Sequence, residues 1–244
     1  DGRYVYFSPW RNDGGNSSEV IRFDTLSEFS SDSSWAAYDP AIDGVGNGLG
    51  GYWGAAFDGR CVYFIPDGGQ TPHGEVLRYD TINDFRSASS WTTFDTASLG
   101  ASHQYHDAFL DGQYLYLVPS QSDGDASQAH GRVVRYDILE NFTLASSWHA
   151  LDPGSSGVGR DPDGYTGAVF DGKYLYFVPD DNGSGLHAEV LRFDTTVAFD
   201  EIRSWSAYDP AGRVIGVQEG GYRGGAFDGQ YIYFAPKGDW AVGN

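Results

Sequence analysis

One nine-residue phrase returns five times along this chain and constrains its fold more than any other feature. It reads DGRYVYFSP at 1–9, DGRCVYFIP at 58–66, DGQYLYLVP at 111–119, DGKYLYFVP at 171–179 and DGQYIYFAP at 228–236. The copies start at Asp1, Asp58, Asp111, Asp171 and Asp228, with spacings of 57, 53, 60 and 57 residues. Self-similarity at such a period marks propellers, solenoids and arrays, in which a unit buries its apolar faces only against its neighbours. The repeat units run 1–57, 58–110, 111–170 and 171–227, with a partial unit at 228–244.

Each full unit divides into four short extended segments. In the second copy these are GGYWGAAF (50–57), RCVYFIP (60–66), EVLRYD (75–80) and SWTTFD (90–95). Asp-Gly between the first two predicts a tight hairpin, because both residues tolerate positive φ. The proline closing the second segment removes a donor and ends the ladder. Asp24, Asp80, Asp137 and Asp194 are placed to cap the turn after the third segment. In that turn Phe29, Phe85, Phe142 and Phe199 precede Trp35, Trp91, Trp148 and Trp205, which reads as an apolar plug under each unit. Four antiparallel strands per unit describe a propeller blade. The fold class expected is all-β, a β-propeller of four-stranded antiparallel blades forming a single domain over 1–244.

The order YVYFSP, EVIRFD, SSWAAYD, GGYWGAAFDGR, with its Tyr and downstream Trp, resembles the Kelch repeat over nearly the whole chain. Proline stands where Kelch repeats carry a double glycine. The resemblance implies a propeller used either as a protein-binding scaffold or as an enzyme frame, and it assigns no activity. Segment two occurs five times and the other three occur four times each. A closed ring of four blades therefore needs GGYRGGAF (220–227) to complete the N-terminal blade, and leaves QYIYFAP surplus. Five blades, or part of a larger ring, are the alternatives.

The formal charge is −19, from 15 Lys and Arg against 34 Asp and Glu. With no basic stripe, nucleic acid and anionic membrane surfaces are poor partners. No apolar run is long enough to insert into a membrane. Cys61, the single cysteine, replaces a recurrent tyrosine within a strand and reads as a buried thiol. Methionine is absent even from position 1, so the chain reads as a processed or excised portion of something longer, in an extracellular or cell-surface setting.

Positions constant between copies hold the repeat together, and positions where one copy departs are where a special site can be placed. The recurrent Tyr52, Tyr105, Tyr165 and Tyr222 are expected to ring a channel, with Trp53, His106, Thr166 and Arg223 varying beside them. The copy at 102–110 departs most and brings His103, Tyr105, His106 and Asp107 together; strict alternation puts the first, second and fourth of these on one face. His73, His130 and His187 precede segment three and are expected near the ligand-bearing loops, where a local structural hydrogen bond is the plainer reading. Loop aspartates could hold calcium, DPDG at 161–164 being the nearest match, but no complete calcium-loop spacing is present and no other cofactor is expected.

No nucleophile elbow, phosphate loop or zinc-protease helix occurs. These features favour a non-enzymatic, lectin-like binding module whose aromatic side chains stack on sugars. The ligand-binding candidates are Trp53, His73, His103, Tyr105, His106, Asp107, His130, Tyr165, His187, Tyr222 and Arg223. The rivals are an assembly module that pairs with neighbouring chains, and a glycan-cleaving enzyme using the 102–110 unit.

Overall fold

The computed structural model describes residues 1–47, 50–67, 73–101, 104–120, 129–211 and 220–237. It is all-β and built from repeated antiparallel sheets. The strands are β1 (Tyr4–Phe7), β2 (Arg11–Asn12), β3 (Gly15–Asn16), β4 (Val20–Asp24), β5 (Trp35–Tyr38), β6 (Tyr52–Phe57), β7 (Cys61–Pro66), β8 (Glu75–Asp80), β9 (Trp91–Asp95) and β10 (Tyr105–Leu110). They continue as β11 (Tyr114–Pro119), β12 (Val133–Asp137), β13 (Trp148–Leu151), β14 (Tyr165–Phe170), β15 (Tyr174–Pro179), β16 (Val190–Asp194), β17 (Trp205–Tyr208), β18 (Tyr222–Phe227) and β19 (Ile232–Pro236). Three sheets have four strands in sequence order, β6-β7-β8-β9, β10-β11-β12-β13 and β14-β15-β16-β17. The four expected segments of the second repeat are β6 to β9.

The two ends differ from expectation. The first sheet has three strands, β1-β4-β5, and β18 pairs with β19 alone. The segment 220–227 therefore does not complete the first sheet, and the four-bladed closure implied by the segment count is not formed by the described strands. The chain falls into two compact units, Asp1–Leu117 with Arg135–Trp148 and Val118–Val134 with His149–Asn244. No helix among the described residues is long and apolar enough to cross a membrane.

The repeated phrase is a hydrogen-bonding device. Only its glycine takes positive φ, as at Gly59 (98°), while no non-glycine residue among the described residues does. The aspartate acts through its side chain instead. Asp58 Oδ1 accepts the N–H groups of Arg60 (2.7 Å) and Cys61 (2.6 Å), and Oδ2 accepts the Tyr63 hydroxyl at 2.6 Å. Asp111 and Asp171 do the same for Tyr116 and Tyr176, and Asp1 and Asp228 for Tyr6 and Tyr233. A carboxylate holding three donors fixes the turn and the second strand together.

The plug is also literal. Trp91 Nε1 donates to the Phe85 carbonyl at 2.9 Å, and Trp35, Trp148 and Trp205 donate likewise to Phe29, Phe142 and Phe199. Asp24, Asp80, Asp137 and Asp194 cap the turn as expected, accepting from the amides two residues on. The four recurrent arginines, Arg22, Arg78, Arg135 and Arg192, all lie over rings, and Arg78 and Arg192 also bond a hydroxyl on the next strand. Arg22 lies 4.2 Å from the Tyr4 centroid, Arg135 4.2 Å from Tyr114, and Arg192 4.4 Å from Tyr174. Cation–π contact explains why an arginine recurs opposite a tyrosine. Cys61 takes the tyrosine's place in the second repeat. Its thiol is buried, and burial pushes its pKa up to about 11, which suits a packing group rather than a nucleophile.

In the first unit, adjoining sheets meet through the same side chains twice. Tyr6 and Tyr38 of the first sheet pack on Phe85 and Trp91 of the second, with Arg22 4.3 Å from the Phe85 centroid. Tyr63 and Phe94 of the second sheet pack on Phe142 and Trp148, with Arg78 4.5 Å from Phe142. Phe94 and Trp148 stack at 4.4 Å. In the second unit the plug of Phe193, Phe199 and Trp205 is equally close, with centroids 4.6–5.6 Å apart.

Candidate binding site

Three of the first strands, β6, β14 and β18, are irregular at one place. In β14, Tyr165 pairs with Pro179 and Gly167 with Val178, leaving Thr166 as an extra residue. In β18 Arg223 is the extra residue, and in β6 the register shifts between Tyr52 and Ala55, across Trp53 and Gly54. A bulge re-aims a side chain that strict alternation would have placed on the ladder. At Trp53 and Arg223 the variable position beside the recurrent tyrosine is exposed, while Thr166 is buried. The tyrosines themselves are not presented. Tyr52 is 3% exposed and Tyr105 and Tyr165 are fully buried, Tyr52 and Tyr165 against Phe64 and Phe177 of their own sheets. Tyr222 is half-buried against Phe234. Tyr52 and Tyr165 therefore act as packing groups, because the second strand of each sheet occupies their rings.

At the second repeat the bulge carries Trp53, which is 41% exposed. The Trp10 ring meets it edge-on at 4.5 Å, and His106 of β10 lies 5.0 Å away. Trp10 follows the proline of the first repeat, and its placement is fixed twice. Its indole N–H donates to Asp67 Oδ2 at 3.2 Å, and the Pro9 carbonyl accepts the Tyr52 N–H at 2.9 Å. The Arg11 guanidinium lies 5.3 Å from the Trp10 ring. β6 and β10 approach closely here because residue 54 is glycine. A Cβ at Gly54 would lie 2.8 Å from Asp107 Oδ1 and 3.0 Å from the His106 carbonyl. Asp107 lies on that close approach; burial raises its pKa, opposed by the Ala108 N–H bond.

Three neighbouring rings, with the exposed Arg11 and the half-buried Asp107 near them, offer an apolar surface edged by both charges. A π face is negative, so it accepts the positive C–H groups of a sugar ring, while the Asp107 carboxylate and the Arg11 guanidinium can bond hydroxyls. In the second unit the same places hold Thr166, bonded to the Tyr222 carbonyl at 2.8 Å, and the exposed Arg223. Lys237 there pairs with Asp180 at 2.7 Å, the counterpart of Trp10 with Asp67. The aromatic platform belongs to the first unit.

His73 and His187 serve a clasp. The Glu75 N–H donates to His73 Nδ1 at 3.2 Å, so the ring hydrogen is on Nε2 and is donated to the Gly50 carbonyl at 2.5 Å. His187 repeats this with Glu189 and Gly164. The glutamates complete it. Glu75 accepts the Asn47 N–H, and Glu189 accepts those of Arg160 and Asp161 at 2.9 Å. Glu75 is buried, which raises its pKa. Gly46 and Gly159, at φ +70° and +74°, allow the approach, since a Cβ on either would come within 2.8 Å of the carboxylate. The clasp ties the loop before the first strand to the loop before the third. The His-x-Glu spacing in HGE and HAE was its signal in the sequence. His130 is buried and has no glutamate beside it; its carbonyl accepts the Gly164 N–H at 3.2 Å. His103 lies outside the described residues.

The DPDG stretch is likewise committed to structure. Among the described residues no group of three or more His, Cys, Asp or Glu side chains is arranged to hold a metal ion. Asp161 accepts the Asn182 side chain at 2.9 Å, and Asp163 packs beside Gly131. Burial, with Asp152, Asp161 and Glu189 nearby, pushes Asp163 up to about 6.

No protein-family model matches the chain, and no curated protein does. Among solved structures it is similar to PorZ, described as an essential bacterial surface component of the type-IX secretion system of Porphyromonas gingivalis. The identity is 10% and the TM-score 0.34, over 96% of this chain and 34% of that one. The chain thus spans about a third of that protein. Likeness at this level defines no fold, and the architecture rests on the chain's own sheets.

Proposed function

We propose that this chain is a non-enzymatic binding module of an extracellular or cell-surface protein, and that it recognises glycans on the Trp10–Trp53–His106 platform. Its sheets are read as blades of a Kelch-like propeller, with the bulged first strands carrying the ligand-facing side chains. The observation that carries the reading is Trp53, an exposed indole raised on a bulge and flanked by two further rings. The acidic, lysine-poor surface is compatible with neutral or cationic sugars. Of the residues named for a cleaving enzyme, Tyr105 and His130 are buried and His106 is partly exposed within the platform, which supports binding over catalysis. The test is a glycan array followed by calorimetry on the chain and on Trp53→Ala. Binding that weakens at least about tenfold in the variant is expected. An array with no hits, or hits that Trp53→Ala leaves unchanged, overturns it.

A further inference from the structure

The internal repeat supplies a standard against which single departures stand out. Four of them meet in the first unit. Trp10 follows the proline of the phrase, where the other copies carry Asp67, Ser120, Asp180 and Lys237. Ser8 precedes that proline, where they carry Ile65, Val118, Val178 and Ala235. Trp53 follows the recurrent tyrosine, where they carry His106, Thr166 and Arg223. Asp107 stands one place further on, where the other three are glycines, Gly54, Gly167 and Gly224.

The departures touch one another. The Trp10 and Trp53 rings meet at 4.5 Å. The Ser8 hydroxyl donates to the Gly54 carbonyl at 3.1 Å and so holds β6 at the residue after Trp53. Asp107 packs on that same residue, since a Cβ on Gly54 would come within 2.8 Å of its Oδ1 and 2.9 Å of its Cα. The residue before it, His106, is the ring 5.0 Å from Trp53. The Asp107 side chain is half-buried, yet among the described residues its one hydrogen bond comes from the Ala108 N–H, at 2.8 Å, and no cationic side chain pairs with it. Asp58, by contrast, accepts three donors, and Asp180 is matched by Lys237. Burial without a countercharge raises the Asp107 pKa, so the carboxylate is kept at some cost to stability. A group that lowers stability and is absent from the other copies marks function rather than scaffold.

We propose that the glycan taken by this platform carries a free amino group, and that Asp107 selects it. The proposal rests on the reading of the platform as a sugar site and adds the substrate class. A sugar ring on the Trp53 face has the Asp107 carboxylate within reach, because Asp107 packs on the next residue of β6. An ammonium there brings both the countercharge and the donors that the carboxylate lacks, and a half-buried pair is screened less than an exposed one. A hydroxyl brings a donor without the charge, and an N-acetyl group replaces the charge with a bulkier neutral amide. Arg11 lies 5.3 Å from the Trp10 ring, which directs a positive substituent to the Asp107 end and leaves Arg11 for hydroxyls. The net charge of −19 attracts any cationic ligand without orienting it. Orientation is what Asp107 adds.

The test is calorimetry of the whole chain with short glucosamine oligomers and with the same oligomers fully N-acetylated, at about pH 6.5, where such an amine is protonated. It is repeated on Asp107→Asn and Trp53→Ala. Asparagine keeps the acceptor for the Ala108 N–H, so Asp107→Asn folds and melts no lower than the parent, which circular dichroism reads. The parent is expected to bind the amine form at least about tenfold more tightly than the acetylated form. Asp107→Asn should lose that preference and bind the acetylated form as before, while Trp53→Ala weakens both. Raising the salt from about 50 to about 500 mM should weaken binding of the amine form alone. A parent that binds the acetylated form equally well refutes the selection and leaves the sugar site standing. A preference that survives Asp107→Asn refutes it too: the net charge then changes only from −19 to −18, and the acidic surface as a whole would be its source. Binding of neither oligomer also refutes it, and the glycan array then shows whether the sugar reading falls with it.

Discussion

Asp163 provides a quantitative test of the carboxylate cluster in the second unit. Its pKa rises from 3.8 to about 6, chiefly through burial, with Asp152, Asp161 and Glu189 adding repulsion. A rise of that size disfavours the ionised form by at most about 3 kcal/mol. The side chain is partly exposed, so solvent screening reduces the expected effect to about 1–1.5 kcal/mol. The folded-state pKa lies above the unfolded value, so the folded chain holds the proton more tightly. The associated stability is complete below about pH 4 and is lost as pH rises through 6. Asp163→Asn carries no such loss. In urea unfolding followed by tryptophan fluorescence, its midpoint should match the parent at pH 4 and exceed it by about 0.5 M at pH 7.5. Equal midpoints at pH 7.5, or a variant less stable there than at pH 4 relative to the parent, would refute the burial of that carboxylate.

Three further outcomes follow from the repeat comparison. Phe85→Ala should cost about 3–5 kcal/mol in chemical denaturation, while Phe29→Ala in dilute solution should cost under about 1 kcal/mol, because one ring is buried and the other mostly in water. Gly159→Ala should cost about 2–4 kcal/mol and Gly112→Ala only about 1–2 kcal/mol. Both glycines have positive φ, but only a Cβ at 159 would meet Glu189 Oε1 and Ala207, each at 2.8 Å. The hydroxyl of the fully buried Tyr165 has no hydrogen-bond partner among the described residues, so Tyr165→Phe should be neutral or stabilise the chain by up to about 1 kcal/mol. A fall of more than that would show the hydroxyl to be paired.

Which parts of this were readable in advance follows from the range of each interaction. The turn aspartate, the capping aspartates and the Phe–Trp plug act over two to six residues, so their partners recur at fixed offsets and the repeat displays them. The segment EVLRYD coincides with β8 for that reason. Other contacts depend on groups far apart in sequence. Trp10 joins Trp53 and His106 only when the segment after β1 meets β6 and β10. His73 and His187 make the structural hydrogen bond expected of them, but their acceptors, Gly50 and Gly164, are set by the folding back of a distant loop. The capping aspartates also pair with the residue after Asp-Gly, as Asp24 does with Arg3 and Asp80 with Arg60, and those bonds lower the carboxylate pKa values.

The sequence by itself determined the all-β class, the four-strand unit and the turns, because alternation and turn chemistry are local properties of the backbone. Only the tertiary structure decided which rings face water. Tyr52 and Trp53 are adjacent in sequence, yet one is 3% and the other 41% exposed. They point to opposite faces of β6, and which of those faces is covered is settled by what packs against it. The same holds for Phe29 and Phe85, which occupy one place in the repeat and differ only in whether a neighbouring sheet covers them. Burial depends on what a face meets, and no residue's own chemistry contains that.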